Sequence, residues 1–146
     1  MKVSEIMSSR VITIDQDEPV AAAARLMKRL NLGALPVTDP AGRLRGMITD
    51  RDIVLRCTAA DTDPRAVPVK DIMSRGVVTA APGDEVEQAA RRMGDGQIRR
   101  LPVVDSGRIV GMLSLCDMAR TCDMEAASAL ADISSNLRRR DSGEKK

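Results

Sequence analysis

The sequence predicts an α/β (α+β) fold: two β-α-β-β-α repeats related by a pseudo-twofold axis, followed by one C-terminal helix. Three observations predict it. Val3–Cys57 can be laid over Val69–Cys122 with 21 of about 54 aligned positions identical. Within each copy, apolar residues switch between helical and strand spacing. Between the copies, Ala59–Pro68 holds Asp61-Thr62-Asp63-Pro64 and Pro68, a linker composition.

The register of the repeat is exact over long stretches. Val3-Ser4-Glu5-Ile6-Met7-Ser8 matches Val69-Lys70-Asp71-Ile72-Met73-Ser74, and Val11-Ile12-Thr13 matches Val77-Val78-Thr79. Ala23-Ala24-Arg25 and Met27 recur as Ala89-Ala90-Arg91 and Met93, and Leu35-Pro36-Val37 as Leu101-Pro102-Val103. One residue is dropped after Asp39, and the match resumes at Gly42-Arg43 and Gly107-Arg108.

Each copy reads alike. A short helical turn, capped by Ser4 in the first copy, precedes a strand at Val11–Ile14 or Val77–Ala80. A helix follows, with Asp17 as its cap and Pro19 near its first turn. Val20, Ala23, Ala24, Met27 and Leu30 carry its apolar face, and Gly33 closes it. Two strands, Ala34–Thr38 and Leu44–Thr49, flank the turn Asp39-Pro40-Ala41-Gly42; the second copy turns at Asp105-Ser106-Gly107. A second helix starts near Asp50 or Leu115. One such unit is too small to bury its sheet face alone, so two are expected to share a core. The expected divisions are residues 1–58 (first repeat), 59–68 (linker), 69–122 (second repeat), 123–140 (helix) and 141–146 (flexible tail). Leu130, Ile133 and Leu137 form the apolar stripe expected of that helix.

Composition narrows the function. There is no Phe, Trp or Tyr among the 146 residues, so a bound base would rest on aliphatic side chains. This counts against single-strand nucleic-acid readers, which stack bases on aromatic rings. There is no His either, which removes the usual general base and the usual zinc ligand. No metal site is expected. Net charge is +2, which does not advertise a nucleic-acid surface. Cys57, Cys116 and Cys122 read as reduced thiols, either small buried hydrophobes or a redox group. No apolar run reaches the roughly 20 residues of a membrane span, and no signal peptide is legible. The reading is cytoplasmic, with no membrane and no nucleic acid as partner.

The repeat resembles the CBS domain, named for cystathionine β-synthase, and the tandem resembles a CBS pair, or Bateman module, of the stand-alone bacterial kind. The resemblance is carried by Val3–Ser8, Gly33–Asp39 and Gly46-Met47-Ile48-Thr49-Asp50-Arg51-Asp52. In the second copy it is carried by Val69–Ser74, Arg99–Asp105 and Gly111-Met112-Leu113-Ser114-Leu115-Cys116-Asp117. It implies a regulatory module that binds an adenosyl compound: AMP, ADP or ATP, with S-adenosylmethionine or NAD(H) also in range. It implies a homodimer, a disk of four CBS units, and a regulated partner that the sequence does not name. The second reading is a structural or interaction dimer with vestigial clefts. Catalysis is not expected: no P-loop, Gly-x-Ser-x-Gly or metal-ligand cluster is present.

The resemblance places ribose on Thr49 and Asp52, and on Ser114 and Asp117. The chemistry is general, because an ionised carboxylate can accept from both hydroxyls of a diol. The same Thr/Ser-x-x-Asp spacing also reads as a helix cap, and the two roles are compatible. Phosphate is assigned to Arg51, Arg99 and Arg100, since guanidinium matches phosphate bidentately; a solvated face is the other reading of Arg99 and Arg100. The base pocket is assigned to Ile12, Thr13, Met47 and Ile48, and to Val78, Thr79, Met112 and Leu113, with edge-strand amides reading the base. The Asp52 cleft, with Arg51 nearby and Arg99 or Arg100 across from it, is expected to be the stronger phosphate site.

Overall fold

The computed structural model of the chain describes residues 1–121 and 123–144. The first copy contains α1 (Val3–Ile6), β1 (Ile14–Asp15), α2 (Val20–Leu30), β2 (Ala34–Thr38), β3 (Leu44–Thr49) and α3 (Asp50–Ile53), which runs on as a π-helical turn, Val54–Thr58. A 3-10 turn, Val69–Asp71, opens the second copy. It continues with α4 (Val86–Gly96), β4 (Arg100–Asp105), β5 (Arg108–Ser114) and α5 (Leu115–Thr121), before the long α6 (Asp123–Glu144).

β1 lies parallel to β2, with Ile14 opposite Val37, and β2 lies antiparallel to β3, with Leu35 opposite Ile48. β4 and β5 form the matching hairpin. Ser106 (φ 54°) and Gly107 (φ 81°) fill its two-residue turn, a left-handed pair that a glycine at the second position makes cheap. The longer first hairpin is organised by Asp39 instead. Its Oδ1 accepts from the N–H groups of Ala41 and Arg43, both at 3.0 Å. Those bonds, the Arg43 N–H first, hold its carboxyl below the ordinary aspartate range.

The chain divides into two compact units that do not follow the repeat borders. One gathers Met1–Val11, Val78–Ser106 and the described residues from Val110 onward; the other gathers Ile12–Val77 and Gly107–Ile109. The cores show the exchange directly. Val3, from the start of the chain, is fully buried with Met93, Leu101, Val103, Leu113 and Met118 of the second copy. Val69, Ile72 and Met73 are buried with Val20, Leu35, Val37, Ile48 and Cys57 of the first. Each such side chain contributes about 1.5–3 kcal/mol by leaving water, so these short segments are integral to the unit they join.

Two glycines explain how the exchanged segments dock. Met47 and Ser74 trade backbone hydrogen bonds at 3.0 and 2.8 Å, and Ser8 and Met112 do the same at 2.8 and 2.9 Å. A Cβ on Gly46 would lie 2.6 Å from the Ser74 carbonyl oxygen and 2.8 Å from Met73 Sδ. A Cβ on Gly111 would lie 2.5 Å from Met7 Sδ and 3.0 Å from the Ser8 carbonyl oxygen. The Gly-Met pair of each copy is therefore the seat for an Ile-Met-Ser segment of the other.

Several local expectations are corrected. Ser4 lies inside α1, behind Lys2, rather than capping it. Asp17 does not cap α2: Pro19 holds that place, and Asp17 Oδ1 accepts from Lys70 Nζ at 2.8 Å. α2 ends at Asn31 (φ 54°), whose side chain tolerates the left-handed region, so Gly33 falls two residues beyond. The first strand is shorter than expected. β1 begins at Ile14, and in the second copy only Ala80 bridges, in parallel with Val103. By register Thr13 and Thr79 face Pro36 and Pro102, which have no N–H to donate, so the ladder does not extend further back.

α6 packs a stripe of Ala126, Ala129 and Ile133 inward, while Leu130 is 47% exposed. The side chain of Leu137 lies outside those described. Gly94 on α4 admits the close approach, since a Cβ there would meet Asp132 Oδ2 at 2.8 Å. α6 continues through Glu144, past the expected start of a tail at Asp141; Lys145, Lys146 and Cys122 lie outside the described residues.

Candidate functional site

The Thr-x-x-Asp and Ser-x-x-Asp segments form the same construction at the strand–helix junction of each copy. Thr49 Oγ1 accepts the Asp52 N–H at 3.1 Å, and Asp52 Oδ2 accepts the Thr49 N–H at 2.9 Å. Ser114 Oγ accepts the Asp117 N–H at 3.0 Å, and Asp117 Oδ2 accepts the Ser114 N–H at 2.9 Å. These are capping boxes with aspartate at the third helical position. Each uses one carboxylate oxygen and fixes the rotamer, leaving Oδ1 for another partner.

The two Oδ1 atoms differ in surroundings. Arg56 Nε stands 3.8 Å from Asp52 Oδ1, and the same guanidinium donates to the Ile72 carbonyl at 3.0 Å. The residue aligned with Arg56 is Thr121, whose hydroxyl bonds the Asp117 carbonyl at 3.3 Å instead. Among the described residues, no cation approaches Asp117. Sequence reasoning missed Arg56, although its position four residues after Asp52 was a usable signal.

The other candidates divide by exposure. Ile12 and Val78, at matching positions, are 40% and 38% exposed, uncommon for β-branched residues next to a sheet. β1 is parallel to β2 and β3 antiparallel to it, so Ile12 and Thr13 lie at the end of the sheet where β3 delivers Thr49 and Asp52. Val78 and Thr79 stand in the same relation to Ser114 and Asp117. Thr13, Thr79, Met47 and Met112 are half-buried.

Ile48 and Leu113 are a correction. Both are fully buried in the hydrophobic cores, so their side chains cannot touch a ligand. The alternation of β3 and β5 turns them inward and leaves Met47 and Met112 outward. The edge amides of Met47 and Met112 are also taken, by Ser74 and Ser8, so they cannot read a base. Arg51, Arg99 and Arg100 are all exposed, and among the described residues none has a carboxylate within ion-pair distance. Arg99 and Arg100 belong to the unit that carries Asp117, and Arg51 to the unit that carries Asp52. No group of three or more His, Cys, Asp or Glu is positioned to hold a metal among the described residues. No helix there is long and apolar enough to cross a membrane.

Twin repeats, each ending its hairpin in a Thr/Ser-x-x-Asp capping box, define a tandem CBS protein. The chain belongs to the CBS domain family, whose model matches residues 3–58 and 69–123. It is 42% identical over 134 residues to the CBS domain-containing protein YhcV of Bacillus subtilis, covering 90% of this chain and 94% of the relative. It is 33% identical to Hypoxic response protein 1 of Mycobacterium tuberculosis, covering 80% and 81% of the two chains.

Among solved structures, Hypoxic Response Protein I with two coordinated zinc ions superposes with a TM-score of 0.77 at 31% identity, covering 83% of this chain and 98% of that one. The CBS domain pair of MJ0100, in complex with 5′-methylthioadenosine and S-adenosyl-L-methionine, superposes with a TM-score of 0.72 at 31% identity, covering 82% and 94%. A hexameric CBS-CP12 protein from bloom-forming cyanobacteria superposes at 0.70, covering 84% and 72%.

Proposed function

We propose that the chain is a regulatory module that binds an adenosyl compound, with AMP, ADP and ATP as first candidates, and that it signals through a change in repeat or dimer arrangement without catalysing a reaction. The observation that carries this is the pair of capping boxes, each presenting one carboxylate oxygen beyond those the backbone uses. A locked, ionised acceptor at a helix start suits the vicinal hydroxyls of ribose. The exposed Ile12 and Val78 supply aliphatic surface for a purine where no aromatic residue exists in the sequence. Arg51, Arg99 and Arg100 are the phosphate ligands in this reading. The complex of MJ0100 with two adenosyl compounds supports the ligand class. Binding that favours one arrangement shifts the population toward it, which is the signal a partner reads. A cytoplasmic homodimer is part of the same proposal.

Isothermal titration with AMP, ATP, S-adenosylmethionine and NADH tests it. Asp52→Ala or Asp117→Ala should weaken the bound ligand by about tenfold or more, the loss of a charge-assisted bond pair, on top of about 1 kcal/mol of lost capping. Arg100→Ala should lower ATP affinity more than adenosine affinity. Absence of binding by all four ligands, or affinity losses no larger than the stability losses, would leave the boxes as structural caps only.

A further inference from the structure

The two copies differ at the face between the first strand and the first helix. In the second copy Arg92 closes that face: its Nη1 donates to the Thr79 carbonyl at 3.1 Å and to Asp84 Oδ2 at 2.7 Å. The aligned residues in the first copy are Leu26, Thr13 and Glu18. Leucine cannot donate, and its side chain is too short to span the gap. A groove of about 520 Å³ lies open there, lined by Thr13, Ile14, Glu18, Ala22, Arg25 and Leu26 among others.

No described residue donates to the Thr13 carbonyl, and none pairs with the Glu18 carboxylate. Asp15 adds a second carboxylate to that wall, its Oδ1 taken by the Asp17 N–H at 2.8 Å. Ile14, Ala22 and Leu26 make the floor aliphatic. Arg25 and Arg29, one helical turn apart on α2, also line the groove, and neither has an ion-pair partner among the described residues. The groove thus brings acceptors near the start of α2 together with aliphatic side chains and two cations nearer its end.

The geometry points to a second binding site in the first repeat, for a short aliphatic zwitterion with a guanidinium or ammonium end: a guanidino or ω-amino acid. Its cationic end takes the place that Arg92 fills in the sibling copy, between the Thr13 carbonyl and the Glu18 carboxylate. Its aliphatic stem lies on Ile14, Ala22 and Leu26, and its carboxylate meets Arg25 and Arg29 in the fork geometry that guanidinium favours. The volume is in the range of small-ligand sites. This site shares Thr13 with the adenosyl reading, through its carbonyl, but none of that reading's acidic or basic residues.

L-Arginine is the probe, titrated into the full chain by calorimetry and by methyl-detected NMR, which the absence of aromatic residues does not hinder. Saturable binding with shifts concentrated at the Ile14, Ala22 and Leu26 methyls is expected. Agmatine, which lacks the carboxylate, should bind about tenfold more weakly, and the Arg25→Ala/Arg29→Ala double variant should hold L-arginine no better than agmatine. Leu26→Arg, which builds the sibling's plug, should abolish binding. Glu18→Gln, an exposed change with little effect on folding, should weaken L-arginine about tenfold. No saturable binding to the unaltered chain, equal binding by Leu26→Arg, or shifts spread evenly over surface methyls would overturn the assignment.

Discussion

Replacing Gly46 by alanine tests the docking of the exchanged segments. The new Cβ would lie 2.6 Å from the Ser74 carbonyl oxygen and 2.8 Å from Met73 Sδ. The sulfur can swing aside, but the carbonyl is backbone, held by the Met47 N–H at 3.0 Å. An ordinary contact of about 3.4 Å requires the segment to retreat by most of an ångström, which breaks that bond and its reciprocal. Two backbone bonds at about 1 kcal/mol each, with about 1–3 kcal/mol of overpacking, predict a loss of about 3–5 kcal/mol. For a chain of this size that is a drop of roughly 6–20 °C in Tm. Urea unfolding followed by far-UV circular dichroism measures it. Gly111→Ala should cost less, because its nearest obstacle is the Met7 sulfur and its carbonyl neighbour stands back at 3.0 Å. Gly83→Ala is the control: nothing lies within 4 Å of its Cβ, and its change should stay within about 0.5 kcal/mol. If Gly46→Ala unfolds at the same urea concentration as Gly83→Ala, the close-approach argument is wrong.

Asp84 gives a pH prediction. The Ala81 N–H and the Arg92 guanidinium hold its carboxyl below the ordinary aspartate range. The folded chain therefore keeps this group ionised at a pH where the unfolded chain protonates it. Its contribution is full above the unfolded value, about 3.9, and is lost as pH falls through the folded value. Asp84 and Arg92 are partly exposed, so about 1 kcal/mol or less is at stake, and Asp84→Asn should flatten acid unfolding only below about pH 4. Gln97 sits at φ 55° with its Oε1 buried and unpaired, so Gln97→Gly should raise stability by about 0.5–1.5 kcal/mol in the same urea assay; a loss would show that the side chain has a partner. Leu101→Ala, in a fully buried site, should cost about 2–5 kcal/mol.

The architecture was legible because a repeated pattern counts each element twice: the strands Ala34–Thr38 and Leu44–Thr49 take the expected bounds, while α2 starts at Val20, two residues beyond the start that an Asp17 cap implies. The capping boxes were legible because their bonds are local, joining residues three apart. What failed was non-local. The end of α2 went astray because Asn31, not Gly33, took the left-handed position. Ile48 and Leu113 were given to a ligand because apolar residues beside a motif look alike whichever way a strand faces them. The open groove beside Leu26 was visible only in retrospect, since a leucine aligned with an arginine means nothing until the arginine is seen holding a carbonyl.

Because each copy's opening strip is stitched into the unit of the other, a gene encoding half of this chain would make a sheet with a bare seat at Gly46-Met47 or Gly111-Met112. Two such halves could close their sheets only by trading strips between molecules. The tandem arrangement keeps that trade within one polypeptide, where it does not depend on concentration.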